Sequence, residues 1–135
     1  MVDDRSPDKL SLVLYSGDPG KIHYAFVMAS AAAAVGRPVT LFFTMEAIRA
    51  LAKPGTAGAP DWQSLDRGFA ANNVATFAEM LDASIEMGVR FLVCDLGLRA
   101  IGLERNQLRS DVPVETGGVV TFLGDASKHG ATIFI

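Results

Sequence analysis

Val39-Thr40-Leu41-Phe42-Phe43 is an almost wholly apolar run bounded by Pro38, with no alternation of wet and dry positions. A strand with one solvated face alternates; an unbroken run suits a strand covered on both faces of a parallel sheet. The flanking segments agree. On the N-terminal side, Lys21 to Val35 is nearly free of charge and rich in Ala, so it predicts a buried helix that lies close to the sheet, and Gly36 stands where a C′ glycine belongs. Before it, Leu10-Ser-Leu-Val-Leu-Tyr15 reads as a first strand, stopped by the turn cluster Ser16-Gly-Asp-Pro-Gly20.

On the C-terminal side, Thr44 is placed to cap a short helix through Leu51, with Glu46 in its first turn. Residues 53–73 hold Pro54, Gly55, Gly58, Pro60 and Gly68 around one large anchor, Trp62, and read as a long loop. From about Asn73, Val74, Phe77, Leu81 and Ile85 recur at spacings of three and four, with Glu79, Asp82 and Glu86 opposite; this predicts an amphipathic helix closed by Gly88. Phe91-Leu-Val-Cys94 is a third strand, followed by a helical pattern through Leu98, Ile101 and Leu103. Val112–Glu115 reads as a strand, Gly118–His129 as a helix and Ala131–Ile135 as a terminal strand. Strands alternating with helices imply parallel crossovers. The expectation is a three-layer α/β/α sandwich with a mainly parallel sheet of about five strands. It forms one domain over 1–135, with a flexible N-terminus at about 1–8.

Composition narrows the function classes. The chain has 135 residues and a net charge of −3, with 50% hydrophobic and 20% charged residues. It can bury a core and lies outside the composition of disordered chains. No basic run is present to displace counterions from a phosphate backbone, which argues against nucleic acid. The single cysteine rules out an intrachain disulfide, and Met1 to Lys9 is polar where a signal peptide needs an apolar stretch, so a cytoplasmic location is expected. The longest small-apolar run, Ala25 to Val35, falls short of the roughly 20 residues a bilayer requires, and no membrane insertion is expected.

Candidate chemistry is sparse. Ser16-Gly17-Asp18-Pro19-Gly20-Lys21 departs from a phosphate loop in its glycine spacing and in Ile22, which stands where that motif has a hydroxyl; an ordinary turn explains it. His23 and His129 lie far apart with no ligand partner at a metal spacing, so no metal site is expected. His23 reads as a surface residue at a helix end, or as a hydrogen-bond partner near the sheet's carboxyl edge. Asp95 and Glu115 follow strands and are expected near that same edge, as solvated charges or as an acid–base pair. Cys94 ends an apolar strand directly before a helix, where free amides favour thiolate; on position alone an inert core thiol is the favoured reading. Arg99, about one helical turn beyond it, is a nearby cation that reads as facing solvent.

The run Phe91-Leu-Val-Cys94-Asp-Leu-Gly-Leu-Arg-Ala-Ile-Gly102-Leu103-Glu104, with Val112-Pro-Val-Glu115-Thr-Gly117-Gly118, resembles the DsrE/DsrF-like sulfur-relay family, in its peroxiredoxin-like branch. Gly17, Lys21, the Ala-rich helix and Val39–Thr44 resemble the family's opening elements in order and spacing. Asp95-Leu-Gly-Leu98 stands where the branch commonly has Gln-Met-Ser-Met. The resemblance implies a parallel α/β fold, homo-oligomers, and Cys94 as a persulfide carrier with no cofactor. It also implies donor and acceptor proteins, small TusA-like carriers among them. Gly17, Gly20, His23, Asp95, Gly97, Glu115, Gly117 and Gly118 are the expected pocket residues. The competing expectation is a small-ligand-binding or assembly module in which Cys94 is core.

Overall fold

The computed structural model describes residues 8–126 and 129–135. Five strands, β1 (Leu10–Leu14), β2 (Val39–Phe43), β3 (Arg90–Cys94), β4 (Val114–Gly117) and β5 (Ala131–Phe134), pair in parallel in the order β4-β3-β2-β1-β5. The helices are α1 (Pro19–Ala34), α2 (Trp62–Ala71), α3 (Phe77–Glu86), α4 (Asp95–Ile101) and α5 (Val119–Asp125). The expected α/β/α sandwich with a five-stranded parallel sheet is what the structure has.

Strand order decides how thick each outer layer is. From β1 to β4 the chain steps across the sheet in one direction, so right-handed crossovers lay the intervening helices on one face. The return to β5 runs the other way and carries α5 to the opposite face. The first face is deep: Leu12, Leu41, Phe43, Phe91 and Val93 pack with Phe26 of α1 and with Phe77 and Leu81 of α3. Phe26 is its hub, with ring centroids 5.0 Å from Phe77 and 6.2 Å from both Phe43 and Phe91. The second face is one short helix thick, with Phe122 of α5 covering Phe42, Leu92 and Cys94.

Local chemistry explains the element ends. Asp18 caps α1 by accepting the Lys21 N–H at 3.0 Å, and Gly36 ends that helix at φ +86°. Ala25, Ala29 and Ala32 form its buried stripe, so the helix can sit close to the sheet. Thr76 and Glu79 form a reciprocal capping box on α3.

Several elements differ from expectation. Within the segment read as a loop over 53–73, Trp62–Ala71 is α2, capped by Asp61. Trp62, Leu65 and Phe69 recur along it at spacings of three and four, but no residue is fully buried and the segment is polar on average, so the surrounding Pro and Gly residues are the stronger signal. It is fastened by Trp62 stacking on Phe77 at 3.8 Å, and by Asp66, whose carboxylate accepts the Phe77 and Ala78 N–H groups. The helix read from Asn73 begins at Phe77, after its Thr76 cap. Met45–Leu51 is a 3₁₀ segment, and the Thr44 hydroxyl does not cap it. β4 runs from Val114 to Gly117 instead of Val112 to Glu115, because Pro113 has no N–H to give to the ladder. The helix expected over Gly118–His129 ends at Asp125, whose side chain turns back to the sheet. The flexible segment expected at about 1–8 falls, Asp8 apart, outside the described residues.

Candidate functional site

Cys94 is the last residue of β3 and the N-cap of α4, and is only 2% exposed. Its Sγ accepts the Gly97 N–H at 3.4 Å, which puts a backbone donor against the sulfur. A donor there favours negative charge on the atom it touches. The cover over the sulfur comes from the second face, where Phe122 packs against Cys94 and stacks on Phe42 at 4.8 Å.

The glycines near the sulfur are there for space. A Cβ on Gly97 would lie 2.7 Å from the Met45 backbone nitrogen, 2.9 Å from Ile48 Cδ1 and 3.1 Å from the Thr44 hydroxyl. The Gly97 amide reaches Sγ as the third position of the α4 turn that Cys94 caps, while α4 also packs closely against the segment after β2. That segment is itself strained: Met45 sits at φ +52°, a conformation unusual for a side-chain-bearing residue. Gly117 pairs in register with Cys94, and its missing Cβ gives room to Thr121 of α5. Gly118 is the N-cap of α5. Gly97 thus touches the sulfur through its N–H, Gly117 lies beside Cys94 across the β3–β4 pair, and Gly118 follows it in the chain.

The other expected pocket residues go elsewhere. Gly17 lies against Glu46, where a Cβ would be 2.9 Å from the Glu46 Cβ; Gly20 is in the first turn of α1 beside Asp18. His23 is buried, contrary to the reading of a surface residue: its ring stacks on Phe69 of α2 at 3.8 Å and its Nε2 donates to the Ala75 carbonyl at 2.8 Å. It fastens α1 to α2 and to the turn before α3. Asp95 is exposed at the start of α4. Glu115 does not reach the carboxyl edge, because the register of β4 sets it beside Leu92 in mid-sheet, where it pairs with Arg90 at the opposite end of β3. Asp95 and Glu115 therefore form no acid–base pair. Arg99 faces solvent.

One residue at this site escaped sequence reasoning. Asp125, at the end of α5, accepts from Arg90 Nη1 at 2.6 Å and from the Thr40 hydroxyl at 2.6 Å, and forms an ion pair with Lys9. Burial pushes its carboxyl pKa up, but the hydrogen bonds from Lys9, Thr40 and Arg90 and the Lys9 charge outweigh this and hold it below the usual range. A carboxylate at a helix C-terminus is unfavourable to the helix dipole, and that misplacement was the available signal. Asp125 ties α5 to the sheet at the end away from Cys94. Among the described residues no three His, Cys, Asp or Glu side chains converge as a metal site, and no helix is long and apolar enough to cross a membrane.

The sequence profile of the DsrE/DsrF-like family matches residues 9–133. The chain belongs to the DsrE/DsrF-like family. It is 26% identical over 156 aligned positions to the uncharacterized protein YrkE of Bacillus subtilis strain 168, covering 94% of this chain and 96% of that protein. Two solved structures resemble the fold. One is MTH1491, a protein of unknown function from Methanobacterium thermoautotrophicum, with TM-score 0.66 and 15% identity over 95% of this chain and 99% of that one. The other is the ychN protein of E. coli, with TM-score 0.64 and 16% identity over 94% and 97%. The DsrE/DsrF-like family relates to sulfur relay, and this chain has a cysteine at the carboxyl end of β3.

Proposed function

We propose that this protein is a sulfur-relay component in which Cys94 carries sulfane sulfur as a persulfide. The observation that carries the reading is the seat of that cysteine: the end of a central strand, with a backbone N–H on its sulfur, in a chain of this family. The chemistry needs one thiol. The Cys94 thiolate attacks the terminal sulfur of a donor persulfide, forms the new S–S bond, and releases the donor as its thiol. An acceptor thiolate then attacks the same terminal sulfur, and Cys94 leaves as thiolate. No net electron transfer occurs in either step, so no cofactor is required. Gly97 N–H holds the sulfur on the protein side as charge develops.

A sulfur this well covered meets a donor only after its cover moves. α5 is the thin side of the molecule, entered through Gly117 and Gly118, and it presents Val119, Val120 and Leu123 to solvent, with Val120 86% exposed. Donor and acceptor proteins of a cytoplasmic relay, including small TusA-like carriers, would meet the protein on this side. The same apolar side chains suit contact between copies in a homo-oligomer.

The burial of Cys94 favours a second reading, an assembly or small-ligand-binding module with a core thiol. Transfer separates the two. Protein treated with a cysteine persulfide and desalted is mixed with an acceptor thiol. Movement of the terminal sulfur to the acceptor, with return of the free Cys94 thiol, supports the relay; a thiol that takes up no sulfur until the protein is denatured supports the module.

A further inference from the structure

The last strand, β5, is laid beside the first, β1, and runs parallel to it. The path from β1 leads through β2 and β3 to β4, and the return brings β5 to the other side of β1. Beyond the carboxyl ends of these two neighbouring strands a crevice opens beside α1. An open groove of about 770 Å³ lies there, lined by Tyr15, Tyr24, Met28, Ile133 and Ile135, with Lys21 at its rim. That volume is within the range of small-molecule sites, about 300–1,000 Å³.

Three features make this more than a surface dent. The Tyr15 and Ser16 N–H groups both donate to the Ile135 carbonyl, at 2.8 and 3.1 Å, so the two strand ends that frame the groove are joined in advance. Tyr24 is 62% exposed on α1, so most of its aromatic ring stands in water beside the groove. The Lys21 ammonium has no ion-pair partner among the described residues, and the Asp18 carboxylate, which also lines the groove, directs one oxygen to the Lys21 N–H as the helix cap.

We propose that this groove binds a small amphipathic molecule, its planar or branched apolar body against Tyr15, Tyr24 and Met28 and a single anionic end on Lys21. The groove shares no residue with the Cys94 site, so the proposal stands or falls separately from the relay. The test uses 8-anilinonaphthalene-1-sulfonate, an aromatic body with one sulfonate, followed by fluorescence and by backbone amide shifts. The expected result is saturable binding with shifts confined to residues 15–28 and 131–135. Affinity should weaken about two- to fivefold in Lys21→Gln, the scale of one exposed charge pair, and about tenfold in Tyr24→Ser. Both positions are exposed, so the variants keep the fold. Val120→Ser on α5 and Cys94→Ser are expected to bind as the native chain does. Shifts centred on α5, or affinity unchanged in both groove variants, would overturn the proposal. So would a native dimer that Tyr24→Ser dissociates, because the groove would then be a contact between copies.

Discussion

Asp125→Asn is expected to open the way to Cys94 without disturbing the cysteine itself. The carboxylate sits at the far end of α5 from the sulfur, is 15% exposed, and gathers three donors: Lys9, Thr40 and Arg90. Hydrogen bonds to a charged group contribute about 1.5–3 kcal/mol each in protected settings. Arg90 is more than a third exposed, so its share lies at the low end. Replacing the charge by a neutral amide that can still accept hydrogen bonds removes part of the sum, about 2 kcal/mol. At 1.4 kcal/mol per factor of ten, the population with α5 detached rises about 30-fold. When reclosure is fast, modification of a buried group follows that open population. Iodoacetamide should therefore alkylate Cys94 in Asp125→Asn about 30-fold faster than in the native chain, at one fixed pH and in the absence of denaturant. An alkylation rate unchanged while the urea midpoint falls would refute the reasoning, because α5 would then not be the barrier over the sulfur.

Gly97→Ala forces a methyl to within 2.7 Å of a backbone nitrogen and is expected to cost about 1–3 kcal/mol in urea unfolding; an unchanged midpoint would mean that α4 is free to shift away from Met45. The depressed carboxyl of Asp125 contributes stability that is fully present above the unfolded value near 4 and is lost as pH falls through the lower folded value. The urea midpoint should thus drop below about pH 4, and drop less in Asp125→Asn. Asp111, held low by the hydrogen bond and charge of Arg109, titrates in the same sense in both chains, so the difference between them isolates Asp125. Arg105 donates to the Val114 carbonyl and to the Thr116 hydroxyl on β4, an edge strand. Arg105→Ala should bare that edge and raise concentration-dependent aggregation in light scattering, and a clear solution at all concentrations would show the edge protected otherwise.

The three inner strands were legible because β1, β2 and β3 are largely apolar and buried and are separated by helices of recognisable period. Val39–Phe43 matches β2 residue for residue. What escaped was structure held by contacts distant in sequence. α2 is fastened by Trp62, Asp66 and Phe69 acting on residues of other elements, and its Trp62, Leu65 and Phe69 stripe is short and set among Pro and Gly residues. His23 looks like a polar guest in an Ala-rich helix, but its partner is a carbonyl 52 residues away. Glu115 was displaced from the carboxyl edge by a register that starts after Pro113, so Gly117 and not Glu115 stands beside Cys94. The cysteine's position at the end of β3 was readable from its place in the chain; its cover was not, because that depends on the return crossover that brings α5 over the second face.

The most direct test of the relay is intact-protein mass spectrometry of the native chain and of Cys94→Ser after incubation with a sulfane-sulfur donor, each repeated with reductant. The account predicts a gain of one or more sulfur atoms on the native chain, removed by reductant and absent from Cys94→Ser. No gain from any of several donors, with the Cys94 thiol shown to be reduced, would contradict it and leave the cysteine as part of the packing beneath Phe122.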